Sequence, residues 1–218
     1  MEENLDIEEG QRAEAMKAFL KRYRMPLIIL AAGIILAAVA GYGYLNWRHS
    51  QMLGASQQYS SAVDAMEQGR QGDALAGFKT LIAEYDGTPY AAFGRVFRAR
   101  LLHEDGQTQA ALEVLTPVAD GQAGPSEARH IAVEEAARIR WDQQGPEAAL
   151  GQLDQLGKAA YMPSYFLLKG DLLAALERPA EARSAYEQVL EAAGGSRLQQ
   201  AVDARMDRLP AAASGASE

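Results

Sequence analysis

"FLLKGDLLAALERPAEARSAYEQVL", residues 166–190, holds the pattern that decides the fold. Apolar residues recur at steps of three and four on either side of "ERP", 177–179, so the stretch reads as two amphipathic helices joined by a tight turn. Small residues stand where two such helices must cross, Gly170 in the first and Ala182 in the second. Phe166, Leu173, Tyr186 and Val189 are the large residues that fill the grooves beside the crossing. One pair of this kind cannot bury both of its faces, and so it calls for neighbours built the same way.

Those neighbours are present. "GDALAGFKTLIAEY" (72–85), "GQTQAALEVLTPVAD" (106–120) and "GPEAALGQLDQLGKA" (145–159) repeat the second helix, "RPAEARSAYEQVLEAAG" (178–194). Each has a turn residue, then a small alanine, then larger apolar residues four and seven positions later. The alanines are Ala74, Ala111, Ala149 and Ala182, spaced by 37, 38 and 33 residues. Phe78, Leu115, Leu153 and Tyr186 follow them at the fourth position. This resembles the tetratricopeptide repeat, a helix–turn–helix unit with a period of about 34 residues. In the second unit Ala99 takes the place of Gly170, and the third unit has no glycine there, so the repeats are degenerate and three or four units are both open. The repeat-pattern residues are read as packing residues.

Valine, isoleucine and threonine are scarce beside alanine, which argues against strands and for an all-α chain. Helices are expected near 50–69, 72–85, 89–104, 107–120, 126–143, 146–157, 161–176, 179–193 and 197–208. "GPSEARH" around Pro125 separates two pairs, and "SRLQQAVDARMDRL" (196–209) suits a polar-faced helix capping a solenoid. Residues 209–218 read as a disordered tail.

Ahead of the repeats, "MPLIILAAGIILAAVAGYGYLNW" (25–47) carries no charged residue. A helix of about 20 apolar residues crosses the hydrocarbon core of a bilayer, so this run reads as a transmembrane helix. Pro26 stands near the start of the run, where a missing N–H costs little, and Tyr42, Tyr44 and Trp47 stand at the far end, where such rings favour the headgroup layer. Lys17, Lys21, Arg22 and Arg24 precede the run, whereas the nearest basic residues after it are Arg48 and Arg70. That asymmetry places residues 1–24 in the cytoplasm and the repeats, 48–208, outside, which in a bacterium is the periplasm. "AVA" (38–40) could be a cleavage site, but the acidic start and the apolar run beyond it favour retention. Gly33, Ala37 and Gly41 make a small-residue face along the span, of the kind on which helices pack in lipid. In the short leading segment, "DIEE" resembles a capping box. Ala13, Met16, Phe19, Leu20 and Tyr23 share one face, suiting either a surface-lying helix or a simple lead-in.

Charge and motifs bound the chemistry. Residues 1–48 hold six basic and six acidic side chains, so the whole net charge of −8 belongs to residues 49–218, with 15 basic against 23 acidic. Such a region repels phosphate backbones, which argues against nucleic acid as a partner. There is no cysteine, and His49, His103 and His130 lie far apart in sequence, so no metal site or cofactor is expected. No phosphate-binding or nucleophile motif occurs, so neither an enzyme nor a small-molecule substrate is expected. "EE" at 134–135 points to two faces of a helix and makes no acid–base pair. One basic feature stands out: Arg95 and Arg98 share a helical face, with Arg100 nearby. They form either a partner-binding patch or a solvated face neutralised by Glu104 or Asp105.

The segment ending in "KAFLKRYR", the span closing on "GYGYLNWRHSQ", the following "ASQQYSSAVDAM" and the acidic degenerate repeats together resemble the YfgM-type proteins of Gram-negative bacteria. That resemblance implies an ancillary subunit of the SecYEG translocon that associates with a PpiD-type periplasmic chaperone and helps exported proteins reach chaperones. Two other readings stay open: an envelope-stress regulator acting through the cytoplasmic segment, and a structural subunit of an envelope assembly.

Overall fold

Alternating helices and glycine-bearing turns organise the chain. The computed structural model describes the backbone of residues 2–159, 162–192 and 196–210, and the side chains of 25–26, 28–157, 162–191 and 198–210. Among these residues there are nine α-helices and no strand. They are α1 (Glu2–Glu67), α2 (Gln71–Glu84), α3 (Pro89–Glu104), α4 (Thr108–Ala119), α5 (Ser126–Gln144), α6 (Pro146–Leu153), α7 (Pro163–Ala175), α8 (Pro179–Ala192) and α9 (Ser196–Met206). The chain divides into two compact units, Met1–Gln51 and Met52–Glu218.

In the first unit, α1 runs through Pro26 as one helix instead of starting there. Its apolar residues face outward, with Ile29 71% and Leu36 70% exposed, and residues 28–50 are all exposed. Exposed apolar surface on this scale needs lipid or protein to cover it. The face of Ala13, Met16, Phe19, Leu20 and Tyr23 and its basic neighbours lie outside the residues whose side chains are described. So do residues 211–218 of the expected tail.

In the second unit the end of α1 pairs with α2, α3 with α4, α5 with α6 and α7 with α8, and α9 follows. That makes four pairs. Their crossings share one register. Ala74, Ala111, Ala149 and Ala182 are 0% exposed, and Phe78, Leu115, Leu153 and Tyr186, four residues on, are at most 2% exposed. Sixteen residues before each of these large side chains stands a small buried one: Ala62, Ala99, Ala137 and Gly170. Gly170 is the tightest, since a Cβ there would land on the Tyr186 ring. A larger core spans the second to fourth pairs and Val202 of α9, with Leu209 packed against it. A smaller one joins Ala55, Ala62 and Ala65 to Ala74, Phe78, Leu81 and Leu101.

The turns within pairs repeat as well. Gly69 and Gly106, at φ +70 and +77, close the first helices of pairs one and two. The following amides, Arg70 and Gln107, bond back to the carbonyls of Ala65 and Leu102 at 2.9 and 2.8 Å. This left-handed closure satisfies carbonyls that the helix leaves free. In the fourth pair Glu177 adopts it at φ 56, with Arg178 N–H bonded to Leu173 O at 2.9 Å. Between pairs, Thr88 caps α3 by accepting from Ala91 N–H at 3.2 Å, with Pro89 in the first turn.

The third pair departs from the expected 146–157 helix. α6 stops at Leu153, and a 3-10 turn over Asp154–Ala159 breaks at Gly157, φ 54 and ψ −141. Glycine reaches that conformation without the steric cost a side chain would bring, so the chain leaves the helical path early.

Candidate interaction surface

Several polar and aromatic side chains of the first helices meet those of neighbouring pairs. At the start of the repeat unit, Tyr59 of α1 meets Tyr90 and Phe97 of α3 at ring-centroid distances of 5.6 and 6.0 Å. Phe97 stacks on Phe78 at 5.7 Å. All four rings lie in the spacing at which aromatic pairs attract. Phe78 is fully buried, while the other three are half-buried and present part of each ring to the outside. Burial, and then the neighbouring Tyr90 phenol, push the Tyr59 hydroxyl above its ordinary pKa.

The arginine trio lies on α3 beside this cluster, and two of its members are engaged within the chain. Arg95 has a side chain only 11% exposed and donates to Asp86, which is 64% exposed, at 2.8 Å. Arg100 donates twice to Glu135 of α5, at 2.8 and 3.3 Å, and lies 6.0 Å from the Phe97 centroid. The Glu135 hydrogen bond is the main reason that its guanidinium pKa is raised, and Glu104 adds only a longer-range attraction. The neutralising partners are therefore Asp86 and Glu135. Arg98 is the third member, and its Nε is buried without a hydrogen-bond partner among the described residues.

Glu134 and Glu135 do point to two faces of α5, and both are buried, at 5% and 6% exposure. Glu135 turns to Arg100 of α3. Glu134 turns to α7, where the Ser164 hydroxyl donates to it at 2.8 Å, while Arg138 stays at 3.9 Å. Burial raises the Glu134 carboxyl above the usual carboxylate range, against the lowering effects of Ser164, Arg138 and His130. The sequence signal for this pair was two adjacent acids inside the alanine-rich run "IAVEEAAR", where a solvated face would leave no reason for burial. Their adjacency was legible. Their role as ties to α3 and α7 was not, because the partners lie 35 and 30 residues away in sequence.

Further along, His103 of α3 contacts Asp142 of α5 at 3.0 Å, and Asp171 of α7 accepts from both Tyr186 and Arg205 at 2.8 Å. A cleft of about 370 Å³ lies between α5, α7 and α9, lined by Arg138, Trp141, Asp142, Leu167, Leu168, Asp171 and Arg205. No group of His, Asp and Glu able to hold a metal occurs among the described residues. Phe166 and Leu173 belong to the larger core, the first half-buried and the second 3% exposed, and Val189 is 0% exposed. In the first unit, Gly33 and Gly41 have open space where a Cβ would stand, and Ala37 is exposed between them. Tyr44 and Trp47 pair at 5.9 Å near the end of the apolar run.

The model of a family described as a tetratricopeptide repeat-like domain matches residues 17–211, taking in the apolar run as well as the repeats. No curated protein matches the chain. Among solved structures, a tetratricopeptide repeat protein from Parabacteroides merdae is similar with a TM-score of 0.55 and 16% identity, over 71% of this chain and 59% of that one. The MamA protein is similar with a TM-score of 0.50 and 14% identity, over 70% of this chain and 81% of that one. At such identities the likeness is one of fold.

Proposed function

Because the chain belongs to the tetratricopeptide repeat-like domain family, we propose that it is a membrane-anchored protein-interaction module whose repeats hold a protein partner close to the bilayer. The observation that carries this reading is the joining, in one chain, of an outward-facing apolar helix and a stack of helix pairs. A tether raises the local concentration of the binding surface for anything that emerges beside it, so modest affinity suffices.

More narrowly, the reading is a YfgM-type ancillary subunit of the SecYEG translocon in the bacterial inner membrane. Its N-terminus is cytoplasmic, its repeats are periplasmic, and it cooperates with a PpiD-type chaperone. Support comes from the basic flank before the apolar run, the aromatic exit at Tyr44 and Trp47, and the acidic repeats. The half-exposed rings of Tyr59, Tyr90 and Phe97 suit an apolar stretch of a partner. Arg98, which has no carboxylate partner among the described residues, suits an acidic group beside that stretch. The Gly33, Ala37 and Gly41 face suits a second membrane helix.

Photo-crosslinking from the span and from Tyr90 in native membranes tests this. Adducts with Sec subunits from the span and with a chaperone or exported chain from Tyr90 are expected. A span that crosslinks only to lipid, with no Sec or chaperone adduct from either site, would overturn the translocon reading.

A further inference from the structure

Residues 134–135 of α5 and 167–168 of α7 hold the same place in the repeat, just before the small crossing residues Ala137 and Gly170. α5 has two glutamates there, and α7 has two leucines. Directly after the crossing residues Ala99 and Ala137 stand Arg100 and Arg138. Between the second and third pairs this register makes a bond, since Arg100 donates twice to Glu135, at 2.8 and 3.3 Å. Between the third and fourth pairs the same step runs from Arg138 to Leu168, which has no charge to offer. The cleft of about 370 Å³ opens at that junction, and Arg138, Trp141, Leu167 and Leu168 are among its lining residues. We propose that the cleft docks a segment of a partner protein that carries an acidic side chain beside an apolar one. The acid would sit on Arg138 and the apolar group on Trp141 and Leu167. This rests on the reading of the repeats as an interaction module and names the chemistry of one of its sites.

Arg138 suits that part. Its side chain is 47% exposed, and it pairs with Glu134 at 3.9 Å, a distance that leaves the attraction of an ion pair but no hydrogen bond. Glu134 itself takes its hydrogen bond from Ser164, at 2.8 Å. A guanidinium has five N–H donors in a planar fork, which a carboxylate fills two at a time, and Arg100 with Glu135 shows that geometry within this chain. The other charged groups of the cleft are held more closely. Asp171 accepts from Tyr186 and Arg205 at 2.8 Å, and Asp142 contacts His103 at 3.0 Å. Trp141 and Leu167 are half-buried, so each leaves apolar surface for a guest, while Leu168 is 4% exposed and backs them. The acidic excess of the repeats repels an acidic guest at long range. Salt screens that repulsion beyond about 8 Å, so the contacts within the cleft decide what it holds.

The chain has two tryptophans, Trp141 in the cleft and Trp47 in the apolar run, so fluorotryptophan gives the site its own fluorine NMR signal. The full chain in lipid nanodiscs is titrated with the peptide Gly-Leu-Glu-Leu-Gly, capped at both ends, and with its copies carrying Gln or Lys in the middle. The Glu peptide should move the Trp141 signal saturably and leave that of Trp47 in place. It should bind about tenfold more tightly than the Gln peptide, the gain of a charge-assisted bidentate pair. Arg138→Gln should bring the two to equal affinity, whereas Arg183→Gln, on α8 and outside the cleft, should keep them apart. A Lys peptide that binds as tightly as the Glu peptide overturns the proposal, and so does a Glu preference that survives Arg138→Gln. It also falls if no peptide gives a saturable shift by about 5 mM, weaker than the millimolar binding a single short contact supplies. Crosslinks from Tyr90 test the wider interaction reading separately, and that reading stands if only this site fails.

Discussion

Glu177 holds φ 56 at the turn where the first and second pairs place Gly69 and Gly106. A left-handed conformation costs an ordinary residue roughly 1–2 kcal/mol, and part of that returns as lower entropy in the unfolded chain. Because Glu177 is exposed and its side chain makes no hydrogen bond among the described residues, Glu177→Gly should raise stability by about 0.5–1 kcal/mol, read from a denaturation midpoint. Glu134 gives the opposite lesson. Its native pKa is raised by burial, so ionisation costs more in the folded chain than in the unfolded one. The penalty is absent below the ordinary carboxylate range, grows as pH rises from that range to the native value, and is constant above it. Glu134→Gln should therefore be more stable than wild type near neutral pH. The difference should disappear by about pH 4, as thermal melts across a pH series would show.

At the scale of elements, α1 has two stretches with different surfaces. Up to the aromatic pair Tyr44 and Trp47 it displays apolar side chains outward, and from Ala55 to Ala65 it buries alanines against α2. The small face at Gly33, Ala37 and Gly41 has room for a leucine, because nothing among the described residues stands within 4 Å of a Cβ at either glycine. Gly33→Leu with Gly41→Leu should therefore leave membrane insertion and repeat folding intact and lower co-purification of a membrane partner. Equal recovery of partners would reduce the segment to a tether. α5 shows how an element in the stack is tied on both sides, by Glu135 to α3 and by Glu134 to α7. The two ties differ in strength, since a bidentate arginine pair compensates a buried charge far better than one hydroxyl does.

For the whole molecule, a stack of helix pairs has stability built from near neighbours, so damage stays local. The two cores make that concrete: Phe78 belongs to the smaller one and Tyr186 to the larger. Phe78→Ala removes a fully buried ring, a loss of about 3–5 kcal/mol. Hydrogen exchange should then speed up across residues 52–85 well before residues 163–192 respond. A uniform increase along the chain would mean that the pairs unfold as one block.

What the order of residues determined alone is the kind of structure. The uncharged run 25–47 is long and apolar enough to cross a bilayer, and the alanine with larger residues four and seven positions on marks a face that packs between helices. Helix type, the crossing residues Gly170 and Ala182, and the start and end of most elements follow from such local periodicity. Tertiary structure decided which neighbour each polar side chain meets. The arginines 95, 98 and 100 look alike in sequence, yet one is held by the loop before α3, one by α5, and one keeps its Nε without a partner. It also decided that four pairs share the crossing, because Ala62 and Ala137 do the work of a glycine only when a second helix lies against them. Periodicity within a helix is a local property of the backbone, whereas the pairing of charges between helices depends on contacts that only the folded stack brings within reach.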